Sequence, residues 1–261
     1  MIYVPSSSVY IGIDVACAVG KPLPICVVSA SLPLMPLTIP KHLARLIPRG
    51  VGNTEITAIA PFQEVARSVV SAISRIVSEM GWKVERIAVD APAAPPTTSS
   101  RHSEDELGRL GLSSFRTPAA SAWAGIREKC VNHLGLGGKA ATLPHANKIW
   151  MLFGFELFAS LKSSLRCEII EVYPFAIVRA LLPTCEHKST EEGYRDQLVA
   201  VAARTGWEPR DLEARLKAAV PGSRHDRLDA FMAAWVASLP LQERRPLGDA
   251  HRSDDAIWVP L

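Results

Sequence analysis

The sequence predicts an α/β fold in a single domain. Three observations carry that prediction. Short apolar runs rich in β-branched residues recur along the chain, and three of them contain a single acid near the end: Tyr10-Ile11-Gly12-Ile13-Asp14, Arg86-Ile87-Ala88-Val89-Asp90 and Ile169-Ile170-Glu171-Val172-Tyr173. Between and after them lie longer segments whose apolar residues repeat at helical spacing. Neither an internal repeat nor a clear linker interrupts the 261 residues, a length that suits one large domain or one domain with an insertion.

The elements follow in order. Residues 9–19 and 24–31 read as strand, turn and strand, with Gly20-Lys21-Pro22 between them. The Pro-rich stretch 32–55 holds a third strand or only a loop. Pro61 opens a helix in which Val65, Val69, Ile73, Ile76, Val77 and Met80 recur on one side, and Gly81 ends it. A strand at 85–90 stops at Pro92, and Pro92 to Ser100 is a loop by composition. Residues 103–165 are mostly helical, broken at Gly135-Leu136-Gly137-Gly138. A strand at 167–173 leads to Pro174, which suits the first turn of a helix reaching about Leu182. Helical patterns cover about 190–204 and 208–219, Pro221-Gly222-Ser223 breaks them, and a further helix spans 225–238. Ile257-Trp258-Val259 reads as a small edge strand.

Composition narrows the class. Hydrophobic residues make up 48% and charged residues 21%, as in a globular protein, and the net charge of +3 does not by itself announce nucleic acid. The five cysteines (17, 26, 130, 167 and 185) form no C-x-x-C pair and are odd in number, which points to free thiols in a reducing compartment. The start Met1-Ile2-Tyr3-Val4 lacks a basic leader region, and no apolar run reaches the ~18 residues of a membrane span. These features imply a cytoplasmic protein with no membrane partner.

The acids are the chemical signal. A carboxylate in an apolar strand is costly unless paired, hydrogen-bonded or bound to a cation. Asp14 and Asp90 close apolar strands, although Asp also forms turns. Glu171 lies mid-strand, where alternation can equally send it to solvent. Asp226 and Asp229 are three apart and share a helix face near its start, where the helix dipole favours acids. Ala230, Ala233 and Ala234 follow, small enough for that helix to approach a sheet. A divalent metal is the simplest common purpose for these acids. Two other signals are weak. Cys185 and His187 lack metal partners at useful spacing, and Gly138-Lys139 lacks the Gly at 133 and the Ser or Thr at 140 of a phosphate loop.

The order of these motifs resembles the RNase H-like fold. The nearest likeness is to a bacterial and archaeal family described as predicted nucleases with that fold, a numbered family of unknown function. The residues that carry it are Gly12-Ile13-Asp14-x-Ala16, Asp90-x-Pro92, Arg101, Glu171-Val172-Tyr173-Pro174, Lys188, His225-Asp226-x-x-Asp229-Ala230 and the terminal Trp258-Val259-Pro260. The helix pair is also similar to that of RuvC-type junction resolvases, although the second strand acid is Asp90 where those enzymes carry Glu.

The resemblance implies a central mixed sheet flanked by helices, residues 1–261 as one domain, and a helical insertion at about 95–165. It implies hydrolysis of phosphodiester bonds in DNA or RNA by two Mg²⁺ or Mn²⁺ ions about 3.5–4 Å apart. Asp14, Asp90, Asp226 and Asp229 would hold the metals, with Asp14 as the bridge. Glu171 would be a further ligand or a base, and Arg101, Lys188 and Arg195 would be phosphate contacts. The alternative is a nucleotide-binding or regulatory protein of the actin and sugar-kinase kind. Those proteins need a glycine and a hydroxyl residue just after the first-strand acid, and Val15-Ala16-Cys17-Ala18 supplies neither.

Overall fold

The computed structural model describes residues 7–15, 18–52, 59–97, 100–112, 116–252 and 255–261. Ala16 and Cys17, part of the stretch after the first-strand acid, lie outside the described residues. The fold is α/β, a seven-stranded mixed sheet with helices on both faces.

The strands are β1 (Ser7–Asp14), β2 (Ile25–Ser29), β3 (Met35–Leu37), β4 (Trp82–Asp90), β5 (Glu168–Val172), β6 (Arg244–Gly248) and β7 (Ala256–Pro260). Their order across the sheet is β3-β2-β1-β4-β5-β7-β6. The first three strands run as an antiparallel meander. β4, β5 and β7 are parallel to β1, and β6 returns antiparallel to β7. The Ile257-Trp258-Val259 segment is therefore not an edge strand. It lies inside the sheet, between β5 and the outer strand β6.

The helices are α1 (Lys41–Ala44), α2 (Ala60–Met80), α3 (His102–Arg109), α4 (Ala122–Gly135), α5 (Ala146–Ser164), α6 (Pro174–Leu181), α7 (Glu191–Thr205), α8 (Pro209–Ala219) and α9 (Arg224–Ser238). Proline opens α6 and stands in the first turn of α2 and α8, where a missing N–H costs nothing. Gly81 and Gly206 end α2 and α7 in the left-handed conformation that favours glycine.

Strand alternation sorts the core into two layers. Val9, Ile11 and Ile13 of β1 and Ile87 and Val89 of β4 pack against α2 and α5. Residues of the other parity, with Ile170 and Val172 of β5, face α9 and the helices around it. Helix α9 lies very close to β1. A Cβ added at Gly12 would sit 2.0 Å from the Ala230 carbonyl oxygen and 2.9 Å from the Ala233 Cβ. The small residues of both elements are what allow this approach.

Candidate metal centre

Two strands and one helix build the site. In the β1–β4 ladder Asp14 is registered with Asp90, so both carboxylates leave the same end of the sheet on the same face. That face is the one covered by α9, the side of Gly12 and Ala88. The Asp14 amide donates to the Pro24 carbonyl at 3.1 Å, which fixes the end of β1. Asp229 sits one turn into α9, next to the alanines that meet Gly12. One carboxylate oxygen from each of Asp14, Asp90 and Asp229 lies within 4.8 Å of the others. Among the described residues no other set of acids, histidines or cysteines gathers in this way.

The electrostatics are unfavourable without a cation. Burial pushes the Asp14 carboxyl up to about 7, and Lys188 pulls it down less than burial raises it; Asp226 adds repulsion. Asp90 is raised well above the ordinary carboxylate range by burial and then by Asp14, with Glu171 adding to it. Asp229 is 2% exposed. Its Oδ2 accepts from the Lys188 ammonium, while its Oδ1 is buried with no hydrogen-bond partner. Lys188 reaches this point from the loop between α6 and α7. The donor set is therefore three clustered carboxylates, one of which keeps an orphaned buried oxygen, with the Lys188 ammonium beside them as a counter-charge. Such a set fits a hard divalent cation, which takes oxygen ligands.

Asp226 and Glu171 are used differently from Asp14, Asp90 and Asp229. Asp226 is the third residue of α9 and forms a capping box with Ser223. Its Oδ2 accepts from the Ser223 amide at 3.0 Å, and its own amide donates to the Ser223 hydroxyl at 3.3 Å. It borders the cluster through its charge on Asp14 but stands outside the three-carboxylate set. Glu171 is registered with Val89, not with Asp90, and so leaves β5 on the opposite face from Ile170 and Val172. There it is buried against Arg101. The Arg101 guanidinium donates to Glu171 Oε1 at 2.8 Å and to Oε2 at 2.6 Å, and the Ala93 amide donates to Oε2 at 2.8 Å. Glu104 stands 3.6 Å from Arg101 and accepts from the Thr117 amide and hydroxyl.

Of the three basic residues expected near phosphate, only Lys188 meets the cluster. Arg101 is fully enclosed by this ion network, and Arg195 lies on α7, lining a separate surface hollow with Glu191 and Arg224. Cys185 is buried and donates to the Glu186 carbonyl, while His187 is exposed in the loop beside it. The residues to which sequence reasoning gave no role are aromatic. Trp150, Tyr173 and Phe175 line a cleft of about 490 Å³ that opens beside Asp90. Their only signal is that Tyr173 and Phe175 flank the proline after a strand acid.

No helix among the described residues is long and apolar enough to cross a membrane. No curated protein and no solved structure matches the chain. The model of the DUF429 family, described as a protein of unknown function, matches residues 42–250. That span contains Asp90, Lys188 and Asp229 and leaves Asp14 outside it. A match over so much of the sequence places it plainly: the chain belongs to the DUF429 family.

Proposed function

We propose that the protein is a divalent-metal-dependent nuclease of RNase H-like fold, hydrolysing phosphodiester bonds in DNA or RNA with Mg²⁺ or Mn²⁺. On this reading residues 1–261 form one RNase H-like domain with a helical insertion at about 95–165. The antiparallel β1–β3 meander followed by parallel β4 and β5 supports the fold reading. The observation that carries the function is the convergence of Asp14, Asp90 and Asp229, with the Asp229 Oδ1 buried and unpartnered. A buried carboxylate oxygen without a donor is costly, and a cation removes that cost.

Asp14 and Asp90 would hold the metal from adjacent strands, and Asp229 from α9. Bound divalent ions would supply the Lewis acidity that polarises a phosphodiester and readies water for attack. The chain contributes rigidity: two ligands on paired strands and a third on a helix pressed against them keep the donor geometry fixed. Lys188 would exchange its ion pair with Asp229 for a phosphate oxygen once the acids are neutralised. Asp226, one turn before Asp229, adds negative field at the edge of the site and would favour a second cation there.

A cleavage screen with Mg²⁺ and with Mn²⁺ across single-stranded, double-stranded and branched DNA and RNA tests this reading, with Asp14→Asn as the control. Cleavage by the wild type and its loss in the variant are the expected results. Absence of cleavage of every form with either metal would remove the proposal.

A further inference from the structure

Beside the carboxylates, the cleft bounded by Asp90 has its own chemistry. Its walls are aromatic: Trp150 comes from α5, and Tyr173 and Phe175 from the junction of β5 and α6. Helix α5 is seated tightly on the turn after Asp90. A Cβ on Gly154 would come within 2.7 Å of the Ala91 Cβ, and Trp150 lies one turn earlier on the same side of that helix. The Trp150 indole N–H donates to the Asn147 carbonyl at 2.9 Å, which fixes the ring. Tyr173 and Phe175 brace each other edge to face, with centroids 6.4 Å apart. Trp150 makes no aromatic contact among the described residues, so its faces are not spent on a protein ring.

The polar lining of the cleft is largely paired. Asp90, Glu104 and Glu171 face Arg101, His187 and Lys188, with Arg101 committed to Glu171 and Lys188 to Asp229. A flat, uncharged ring with N–H donors on its edge is suited to aromatic walls and carboxylate neighbours. The volume, about 490 Å³, is within the range of small-molecule pockets and accommodates a nucleobase.

We infer that this cleft takes one unpaired nucleobase, stacked against Trp150, so that the substrate of the carboxylate site is single-stranded nucleic acid. The inference rests on the nuclease reading. Asp90 belongs to both the cluster and the cleft wall, so a nucleotide with its phosphate at the carboxylates has its base next to the cleft. A base held in a duplex cannot enter without leaving its partner.

The experiment is fluorescence anisotropy with fluorescein-labelled dT12 and rU12, each alone and paired with its complement, in Ca²⁺ with the full-length protein. A thermal shift with Mn²⁺ is run beside it as an independent report on the metal centre. At least one single strand should bind ten times or more tighter than its duplex. Trp150→Leu should weaken single-strand binding about 5- to 150-fold, the value of stacking one base, and leave the Mn²⁺ shift unchanged. Trp150→Phe should recover most of the loss. Phe175→Leu, on a different element, repeats the test should Trp150→Leu fail to fold. Equal or tighter binding of duplex, or wild-type affinity in folded variants of both walls, with the Mn²⁺ shift intact, overturns the single-strand inference and leaves the nuclease reading standing. A wild type that shows neither a Mn²⁺ shift nor oligonucleotide binding overturns both.

Discussion

Two groups of buried acids lie at the same end of the sheet, and they have been resolved in opposite ways. Glu171 of β5 and Glu104 of α3 have the guanidinium of Arg101 between them, with the Ala93 and Thr117 amides taking up further oxygens. Asp14 and Asp90 face α9, which carries Asp229; the three have Lys188 from a loop beside them, and Asp229 keeps one buried oxygen without a donor. The difference teaches how to tell a structural acid from a ligand. Loss of water is common to both groups, nearly complete for Glu171, Glu104 and Asp229 and partial for Asp14 and Asp90. The deficit of cations and donors belongs to one of them, and on the proposed reading that deficit is what a metal ion would fill.

The comparison breaks most visibly in activity. Asp14→Asn and Asp229→Asn should each lower Mg²⁺-dependent cleavage by about 10³-fold or more, ~4 kcal/mol of transition-state stabilisation, with circular dichroism unchanged. Glu171→Gln, whose partners are protein groups, should cost activity far less. Equal losses in the two groups would erase the distinction.

Stability should show the reverse. Arg101→Met leaves Glu171 and Glu104 buried without their cation and should cost about 3–5 kcal/mol in denaturant unfolding. A loss under about 1 kcal/mol would mean that Glu171 does not depend on Arg101 and is free to act as a ligand.

The pH dependence sharpens the contrast. With its carboxyl raised to about 7, folded Asp14 keeps a proton that the unfolded chain has already released above the ordinary value near 3.8. The contribution of Asp14 to metal-free stability should therefore be full below that lower value and fall as pH rises toward 7, by about 4 kcal/mol at most. Asp14→Asn should lose that slope and be more stable than the wild type at pH 8 without metal. Millimolar Mg²⁺ should raise the wild-type melting temperature at pH 8 and leave Asp14→Asn where it was. A wild-type melting curve indifferent to both pH and Mg²⁺ would contradict the cation deficit.

The smallest effect should come from Asp226. Its hydrogen bond from the Ser223 amide is worth about 0.5–1.5 kcal/mol, measured as Asp226→Ala in thermal unfolding. Cleavage in Asp226→Asn should stay within about tenfold of wild type if the residue only shapes the field around Asp14, a change of ~1.4 kcal/mol. A loss as large as that of Asp229→Asn would move Asp226 into the ligand set.

Much of this was legible in the residues, and the reasons for the exceptions are physical. Asp14 and Asp90 end apolar strands, and Asp229 precedes the small residues that pack on Gly12, so local pattern alone brought three acids to one place. Glu171 could not be placed because both neighbours of each parity, Ile169 and Ile170, are apolar. A strand buried on both faces carries no alternation, and only its register with Val89 decides where the acid points. The Ser223–Asp226 capping box was present in the sequence as a hydroxyl three residues before an acid, and the metal reading overshadowed it. β6 had no signal. Arg244-Arg245-Pro246-Leu247-Gly248 lacks strand pattern and pairs only because β7 offers it a partner. Arg101 and Lys188 reach their acids from loop and helix-start positions, which periodicity does not describe.

The contact between Gly12 and Ala230 joins positions separated by more than two hundred residues. Closing so long a loop is slow, and its return comes only when both ends are made. During synthesis β1 emerges early with its acid and waits, its glycine uncovered, until α9 arrives. The three-ligand set therefore exists only in a chain that has completed its longest-range contact. On the metal reading, capture of an ion would then report on completed folding, and partly built chains would lack the full set of carboxylates.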